Sequence, residues 1–178
     1  MSKLHDCFVS ELANIYDAEM QLTKAFPKLV AAAKHQELKA ALKSHLAETE
    51  EHVRRVEQIF SILGANIPGR KCHAMQALLS GCQECIDDEL EDAAVICGAQ
   101  KIEHYEIASY GCLRSWAQFL DQDEAANLLD ETLDEENAAD EHLTSLAVQI
   151  INLDAEQSEE EEDSETEPAA RTKQPISK

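Results

Sequence analysis

The chain has 178 residues with 36 acids and 15 basic residues, which gives a formal net charge of −21, and only 4% of the residues are aromatic. This length allows one domain with a substantial core plus additional segments, and the negative charge disfavours nucleic acids and anionic membranes as partners. No apolar run is long enough to cross a bilayer, and the acidic N-terminal segment lacks the features of a signal peptide. We therefore expect a cytoplasmic protein with no membrane anchor.

Four long segments carry apolar residues at helical spacing and predict an all-α fold. They cover about residues 4–33, 37–63, 88–119 and 123–152. Tight turns near residues 34–36 and 121–123 join them in pairs, which indicates two antiparallel hairpins. The connection between the hairpins contains Pro68 and Gly69, followed by a short helix from about Lys71. We predict a four-helix bundle whose long central crossover carries this short fifth helix.

The chain after Leu153 differs from the rest in composition. It reads DAEQSEEEEDSETEPAARTKQPISK, a low-complexity sequence without apolar periodicity. We therefore predict a helical bundle over residues 1–153 and a disordered acidic tail over residues 154–178.

Acidic residues interrupt the apolar stripes of three helices. Glu19 is central in the first stripe, Glu103 and Glu106 in the third, and Glu136 and Asp140 in the fourth. Burying an uncompensated carboxylate is costly, and burying two adjacent ones is worse. The hairpin turns bring residue 19 level with residue 48 and residue 103 level with residue 136. We therefore expect carboxylates from different helices to converge at one depth in the core.

The second helix has its candidate residues on a broader face. Its apolar centre includes Leu42 and Val56, with His45 and His52 on the same side and Glu48 at the edge. We prefer Glu48 and His52 as metal ligands from this helix. His45 is either a third ligand candidate or a hydrogen-bond donor to a ligand that does not itself bind the metal.

Two divalent cations would balance the acids gathered at this depth. Oxygen-rich ligation with a few imidazoles suits iron, with manganese as the alternative, whereas structural zinc favours more sulfur and nitrogen. The competing interpretation is a polar network with protonated carboxyls and salt bridges, but the stripes hold no basic partners for it. The Glu-x-x-His motif of di-iron bundles is absent: Glu48 and His52 are four residues apart.

Four sequence motifs in order resemble the YciE/YciF-like stress-response family of the ferritin-like superfamily. They are YDAEMQL (16–22), HLAETEEHV (45–53), AQKIEHYEIASYG (99–111) and LLDETLDEENAADEHLTSLA (128–147). The resemblance implies a ferritin-like bundle, a homodimer, a role in stress and a di-iron, ferroxidase-like activity. The implied metal ligands are Glu19, Glu48, His52, Glu103, Glu106, Glu136 and Asp140.

Two hypotheses about function follow. The first is a di-iron protein that oxidises Fe(II) with O2 or H2O2 and so protects against stress. The second is a non-catalytic dimeric scaffold with a structural metal site. We expect Tyr16 and Tyr110 to be packed rings whose hydroxyls bond ligand carboxylates.

The six cysteines offer a weaker metal signal. Cys82 and Cys85 have the spacing of a metal or redox site, but a second Cys-x-x-Cys pair is missing. We therefore interpret the cysteines as buried or reduced thiols.

Overall fold

The computed structural model describes residues 2–87 and 92–153, and within these ranges it contains helices and no strands. The five α-helices are α1 (Lys3–Ala32), α2 (Gln36–Ile62), α3 (His73–Asp87), α4 (Asp92–Phe119) and α5 (Asp123–Leu146), and a short π-helix (Ala147–Ile151) continues α5. The predicted all-α bundle with a short helix in its crossover is confirmed. The predicted tail, residues 154–178, lies outside the described residues. None of the described helices is long and apolar enough to span a membrane.

Four helices form a closed ring around the core. α1 packs against α2 and α4, and α5 packs against α2 and α4, so each predicted hairpin contributes two neighbouring helices. α3 lies outside this ring, where it packs against α1 and α4. The interior is therefore lined by one stripe from each of α1, α2, α4 and α5.

Hydrogen bonds fix the start of α1 and the turn between α1 and α2. The Ser2 hydroxyl accepts a hydrogen bond from the backbone N–H of His5 at 3.2 Å and caps α1. At the start of α2, His35 Nδ1 accepts from the N–H of Glu37 at 3.2 Å. The buried carboxylate of Asp92 accepts from the N–H of Lys34 at 2.8 Å and from that of His35 at 2.6 Å. Asp92 therefore connects the first residue of α4 to the turn between α1 and α2.

Cys72, the residue before α3, is held against α1 by hydrogen bonds. Its N–H donates to Asp17 Oδ2 at 2.8 Å, and its carbonyl accepts from Gln21 Nε2 at 3.0 Å. Its buried sulfur accepts from the N–H of Met75 at 3.4 Å. Cys82 is also buried, whereas the side chain of Cys85 lies outside the described part of the chain. These contacts anchor the crossover to α1.

The apolar core is interrupted by polar residues at mid-height of the bundle. On α1, Ile15 and Leu22 are fully buried on either side of the equally buried Glu19. On α5, Leu133 and Leu143 are buried on either side of Glu136, which has no exposed surface. Apolar side chains therefore enclose the carboxylates along the bundle axis.

Candidate metal centre

Six titratable side chains from all four ring helices are buried together. Each is at most 5% exposed; they are Glu19, His45, His52, Glu103, Glu106 and Glu136. α1 and α5 contribute one carboxylate each, α4 contributes two, and α2 contributes both imidazoles. We call these six residues the central cluster.

The central cluster consists of two groups that share one residue. In the first group, ligand atoms of His45, Glu103, Glu106 and Glu136 all lie within 4.8 Å of one another. In the second, atoms of Glu19, His52 and Glu136 meet the same limit. A carboxylate has two oxygens, so Glu136 can serve both groups at once.

The histidines face the carboxylates at short distances. His45 Nε2 lies 3.3 Å from Glu103 Oε1 and 3.5 Å from Glu136 Oε2. His52 Nδ1 lies 3.1 Å from Glu136 Oε1 and 3.6 Å from Glu19 Oε1. The two imidazoles therefore lie against the two oxygens of Glu136.

Polar atoms of the central cluster lack hydrogen-bond partners. Among the described residues, ten buried side-chain nitrogen or oxygen atoms have none, and eight of them belong to the cluster. They include both oxygens of Glu106, both of Glu136, His45 Nε2 and His52 Nδ1. A buried polar group without a partner costs roughly 1–3 kcal/mol, and more if it is charged. Eight such atoms in one place are the environment that a bound cation would satisfy.

The other ring nitrogen of each histidine contacts a partly exposed carboxylate. His45 Nδ1 lies 3.2 Å from Glu48 Oε2, and His52 Nε2 lies 2.9 Å from Glu135 Oε2. Glu135 in turn accepts from Arg55 Nη2 at 2.9 Å. A carboxylate that accepts from one ring nitrogen fixes the tautomer and leaves the other nitrogen free to bind a metal.

Burial and mutual repulsion perturb the acids of the central cluster. Burial, together with the neighbouring carboxylates, raises the pKa of Glu106 well above its ordinary value. Burial also raises the pKa of Glu103, although nearby His45 opposes this and Glu136 adds to it. Burial lowers the pKa of His52, but the contacts with Glu136 and Glu19 outweigh it and raise that pKa to about 11. The cluster therefore retains protons that a bound metal ion would displace.

The structure brings together five of the seven residues implied by the family resemblance. Glu19, His52, Glu103, Glu106 and Glu136 lie in the central cluster. The Glu48 side chain is 42% exposed and contacts the outward nitrogen of His45. Asp140 accepts from Gln100 Nε2 at 3.2 Å and lies 3.6 Å from His104 Nε2. Glu48 and Asp140 therefore lie outside both groups.

Two residues take places that the sequence did not assign to them. His45, which the sequence left as either ligand or donor, lies inside the first group. Glu135 was not singled out, because it lies off the apolar stripe of α5 and its contact with His52 joins residues 83 positions apart. Only the presence of a second acid beside Glu136 could have drawn attention to it.

The two tyrosines have different environments. Tyr110 is completely buried and its hydroxyl donates to Glu19 Oε1. The Tyr16 hydroxyl instead donates to the exposed carboxylate of Glu57 at 2.8 Å. The expected hydrogen bond to a carboxylate of the cluster is therefore found for Tyr110, whereas Tyr16 bonds an acid at the surface.

The donor set fits two divalent cations. Four carboxylates carry four negative charges, which two divalent ions would neutralise without any contribution from neutral imidazoles. Di-iron bundles use the same inventory, since two helices supply one Glu each and two supply Glu-x-x-His. Here both histidines come from α2 and both remaining acids from α4. Oxygen-rich ligation with two imidazoles suits iron or manganese.

The fold and the central cluster together define a ferritin-like helical bundle with a candidate two-metal centre. A family model described as a domain of unknown function, DUF892, matches residues 3–156. The chain belongs to this family, and its predicted membership of the YciE/YciF-like stress-protein group is confirmed.

Individual relatives agree with this assignment. Protein YciF of Escherichia coli is 43% identical over 161 residues, which cover 88% of this chain and 97% of YciF. The crystal structure of the E. coli stress protein YciF matches with a TM-score of 0.81 and 42% identity over 85% of this chain and 99% of the other. YcfI of Rhodopseudomonas palustris, provisionally described as a structural protein, matches with a TM-score of 0.78 and 37% identity over 81% of this chain and 94% of the other.

A more distant structure shares the fold alone. A protein from Xanthomonas campestris pv. campestris has a TM-score of 0.71 at 21% identity, over 89% of this chain and 99% of the other.

Proposed function

We propose that this protein is a di-iron carboxylate protein that oxidises Fe(II) with O2 or H2O2 and protects the cell under stress. The observation that carries the proposal is the convergence of eight unpartnered polar atoms in a buried site. Its similarity to YciF, a stress protein, supports the protective role. Manganese is the alternative metal, because the same donors suit it.

The proposed ligands are the six residues of the central cluster. Glu136 would contribute to both groups of ligands, because its oxygens face different histidines. Glu48 and Glu135 would hold His45 and His52 in the ligating tautomer through the outward ring nitrogens. When bound, two ferrous ions would supply one electron each to the oxidant.

The protein's own residues would prepare this chemistry in two ways. The apolar neighbours exclude water; for example, the Phe26 ring packs edge-on against His45 with ring centroids 5.2 Å apart. In the metal-free protein His52 Nδ1 would hold a proton between Glu19 and Glu136, and His52 would have to give up this proton to serve as a ligand. The apolar packing limits the access of water along the bundle axis, and the loss of the proton keeps the loaded site close to neutral.

Metal analysis followed by a rapid-mixing experiment tests this proposal. Protein from iron-replete cells should contain about two iron ions per chain. Anaerobic loading with Fe(II) and mixing with H2O2 or O2 should then produce a fast rise in ferric absorbance. Glu106→Ala should lose both properties, whereas Glu141→Ala, a change at an exposed position of α5, should retain them. Wild-type protein that takes up neither iron nor manganese would refute the proposal.

The second candidate function is a structural helical protein with a metal used for stability. The description of YcfI from R. palustris favours it. Tight metal binding that raises the unfolding temperature, without oxidation of Fe(II), would identify this function. The homodimer implied by the family resemblance belongs to both proposals, and light scattering of the full chain tests it.

A further inference from the structure

A cavity between α2 and α5 leads to the central cluster. Its volume is about 550 Å³, and His45 and Glu103 form part of its lining. Both side chains are at least nine-tenths buried, and His45 Nε2 and Glu103 Oε2 lack hydrogen-bond partners. The cavity is therefore lined by two residues of the central cluster that carry unsatisfied ligand atoms, and it is more than a depression between two helices.

The charged residues that line this cavity are acidic. Glu37, Glu48 and Glu135 contribute carboxylates, and no lysine or arginine is among the lining residues. The remaining lining residues are mostly small or aliphatic and include Ala41 on α2 and Ala139 on α5. A cleft with one sign of charge and low-dielectric walls focuses the electric field and raises the local concentration of counter-ions.

The acids are arranged in steps from the surface towards the cluster. Glu37 is exposed in the first turn of α2, eight residues before His45, which corresponds to about 12 Å along the helix. Glu48 and Glu135 are partly exposed and contact the outward nitrogens of His45 and His52. A cation that reaches Glu48 or Glu135 is separated from the carboxylates of the central cluster by one imidazole ring.

We propose that this cavity is the route by which divalent cations enter the central cluster, with Glu37 attracting them at its mouth. The inference rests on the proposed metal function and adds the path that leads to it. Ala41 and Ala139 line the cavity from α2 and α5, and neither belongs to the central cluster, so a larger side chain at either position should narrow the path without replacing a ligand.

Blocking the cavity tests the route separately from the metal site. Ala41→Phe and Ala139→Phe place a ring in the cavity from opposite walls. Ala47→Phe is the matched control, because Ala47 is an exposed alanine of α2 that does not line the cavity. Metal-free protein is mixed with Co(II) in a stopped-flow instrument, and a metal-sensitive dye follows the loss of free metal. Equilibrium dialysis then measures how much Co(II) each variant binds.

We expect the blocked variants to bind Co(II) at least about tenfold more slowly than the wild type. Their final stoichiometry and circular dichroism should match those of the wild type. Glu37→Gln should slow binding severalfold and reduce its dependence on ionic strength, whereas the exposed Glu50→Gln should do neither. Wild-type rates in both blocked variants would overturn the route and leave the metal function standing. A wild-type protein that binds no divalent metal at equilibrium would overturn both.

Discussion

His45 and His52 lie two turns apart on α2, with ring centroids 6.3 Å apart, and they turn opposite ring nitrogens towards the central cluster. His45 presents Nε2 and His52 presents Nδ1, each close to a different oxygen of Glu136. One helix can therefore supply an imidazole to each of two metal positions. In the proposed metal centre, this arrangement would take the place of the pair of Glu-x-x-His motifs that the sequence lacks.

Removing either histidine should remove one metal position and leave the other. We expect His45→Ala and His52→Ala each to reduce bound metal from about two ions per chain to about one, measured by elemental analysis after dialysis. His104→Ala is the control, because that side chain is 68% exposed and lies outside both groups. Retention of two tightly bound ions in both cluster variants would contradict the assignment of one histidine to each position.

Glu135 should affect metal affinity although it is not among the proposed ligands. Its Oε2 lies 2.9 Å from His52 Nε2, and loss of such a partner weakens metal binding by about 10–100-fold. Glu135→Ala should therefore bind Co(II) more weakly by about this factor in competition titrations. Glu131→Ala is a matched control, since Glu131 contacts Arg55 at 2.9 Å but does not contact His52. Equal affinities in the two variants would show that Glu135 does not position His52.

Metal-free protein should become more stable when Glu106 loses its charge. The pKa of Glu106 is raised in the folded state, so the unfolded state loses this proton more readily. The folded state is therefore destabilised once the pH exceeds the unfolded pKa of about 4.3. The free energy of unfolding should therefore fall as the pH rises, by about 1.4 kcal/mol for each unit of pKa difference once both states are ionised. Glu106→Gln should be more stable than wild type at pH 8 and should show a shallower pH dependence.

Urea denaturation of chelator-treated protein at pH 5 and pH 8 measures this effect. Glu141→Gln, at an exposed position of α5, reports the contribution of surface charge alone. Glu103→Ala should stabilise the metal-free protein in the same direction but less strongly, because His45 lies 3.3 Å from Glu103 and offsets part of the repulsion. A Glu106→Gln protein that is less stable than wild type at pH 8 would contradict the repulsion argument.

Metal binding at pH 7 should release protons. With a pKa of about 11, His52 is protonated in the metal-free fold, whereas a ligating imidazole nitrogen must be unprotonated. The proton on His52 stabilises the fold fully below the unfolded pKa of about 6.5, and this contribution is lost as the pH rises towards 11. Anaerobic titration with Co(II) in weak buffer containing a pH indicator should record this release, and His52→Gln should release fewer protons. Equal release by both proteins would place the proton elsewhere.

Helical periodicity and turn positions were sufficient to predict the bundle and the four carboxylates of the central cluster, although they also placed Asp140 among them. The stripe of α1 buries Leu12, Ile15, Glu19 and Leu22 because residues three and four apart share a helix face. The same spacing placed Glu103, Glu106 and Glu136 inside, and all three are at most 1% exposed. The prediction that the second hairpin brings Glu103 and Glu136 to the same depth also agrees with the structure, since both belong to one group.

Residues at the edges of these stripes needed the tertiary structure. His45 and Glu48 are three residues apart on α2. Periodicity placed His45 on the apolar side and Glu48 at its edge, but it could not say which of them reaches the carboxylates of the other helices. Packing of α2 against α5 turns His45 towards the core and leaves Glu48 at the boundary, and Asp140 bonds Gln100 on α4 instead of joining the cluster. The sequence by itself thus determined which helices form and that Glu19, Glu103, Glu106 and Glu136 face the interior, because these features depend on local periodicity. Only the packing of one helix against another decided which atoms meet, because side-chain contacts between helices depend on rotations and distances that no spacing along one helix records.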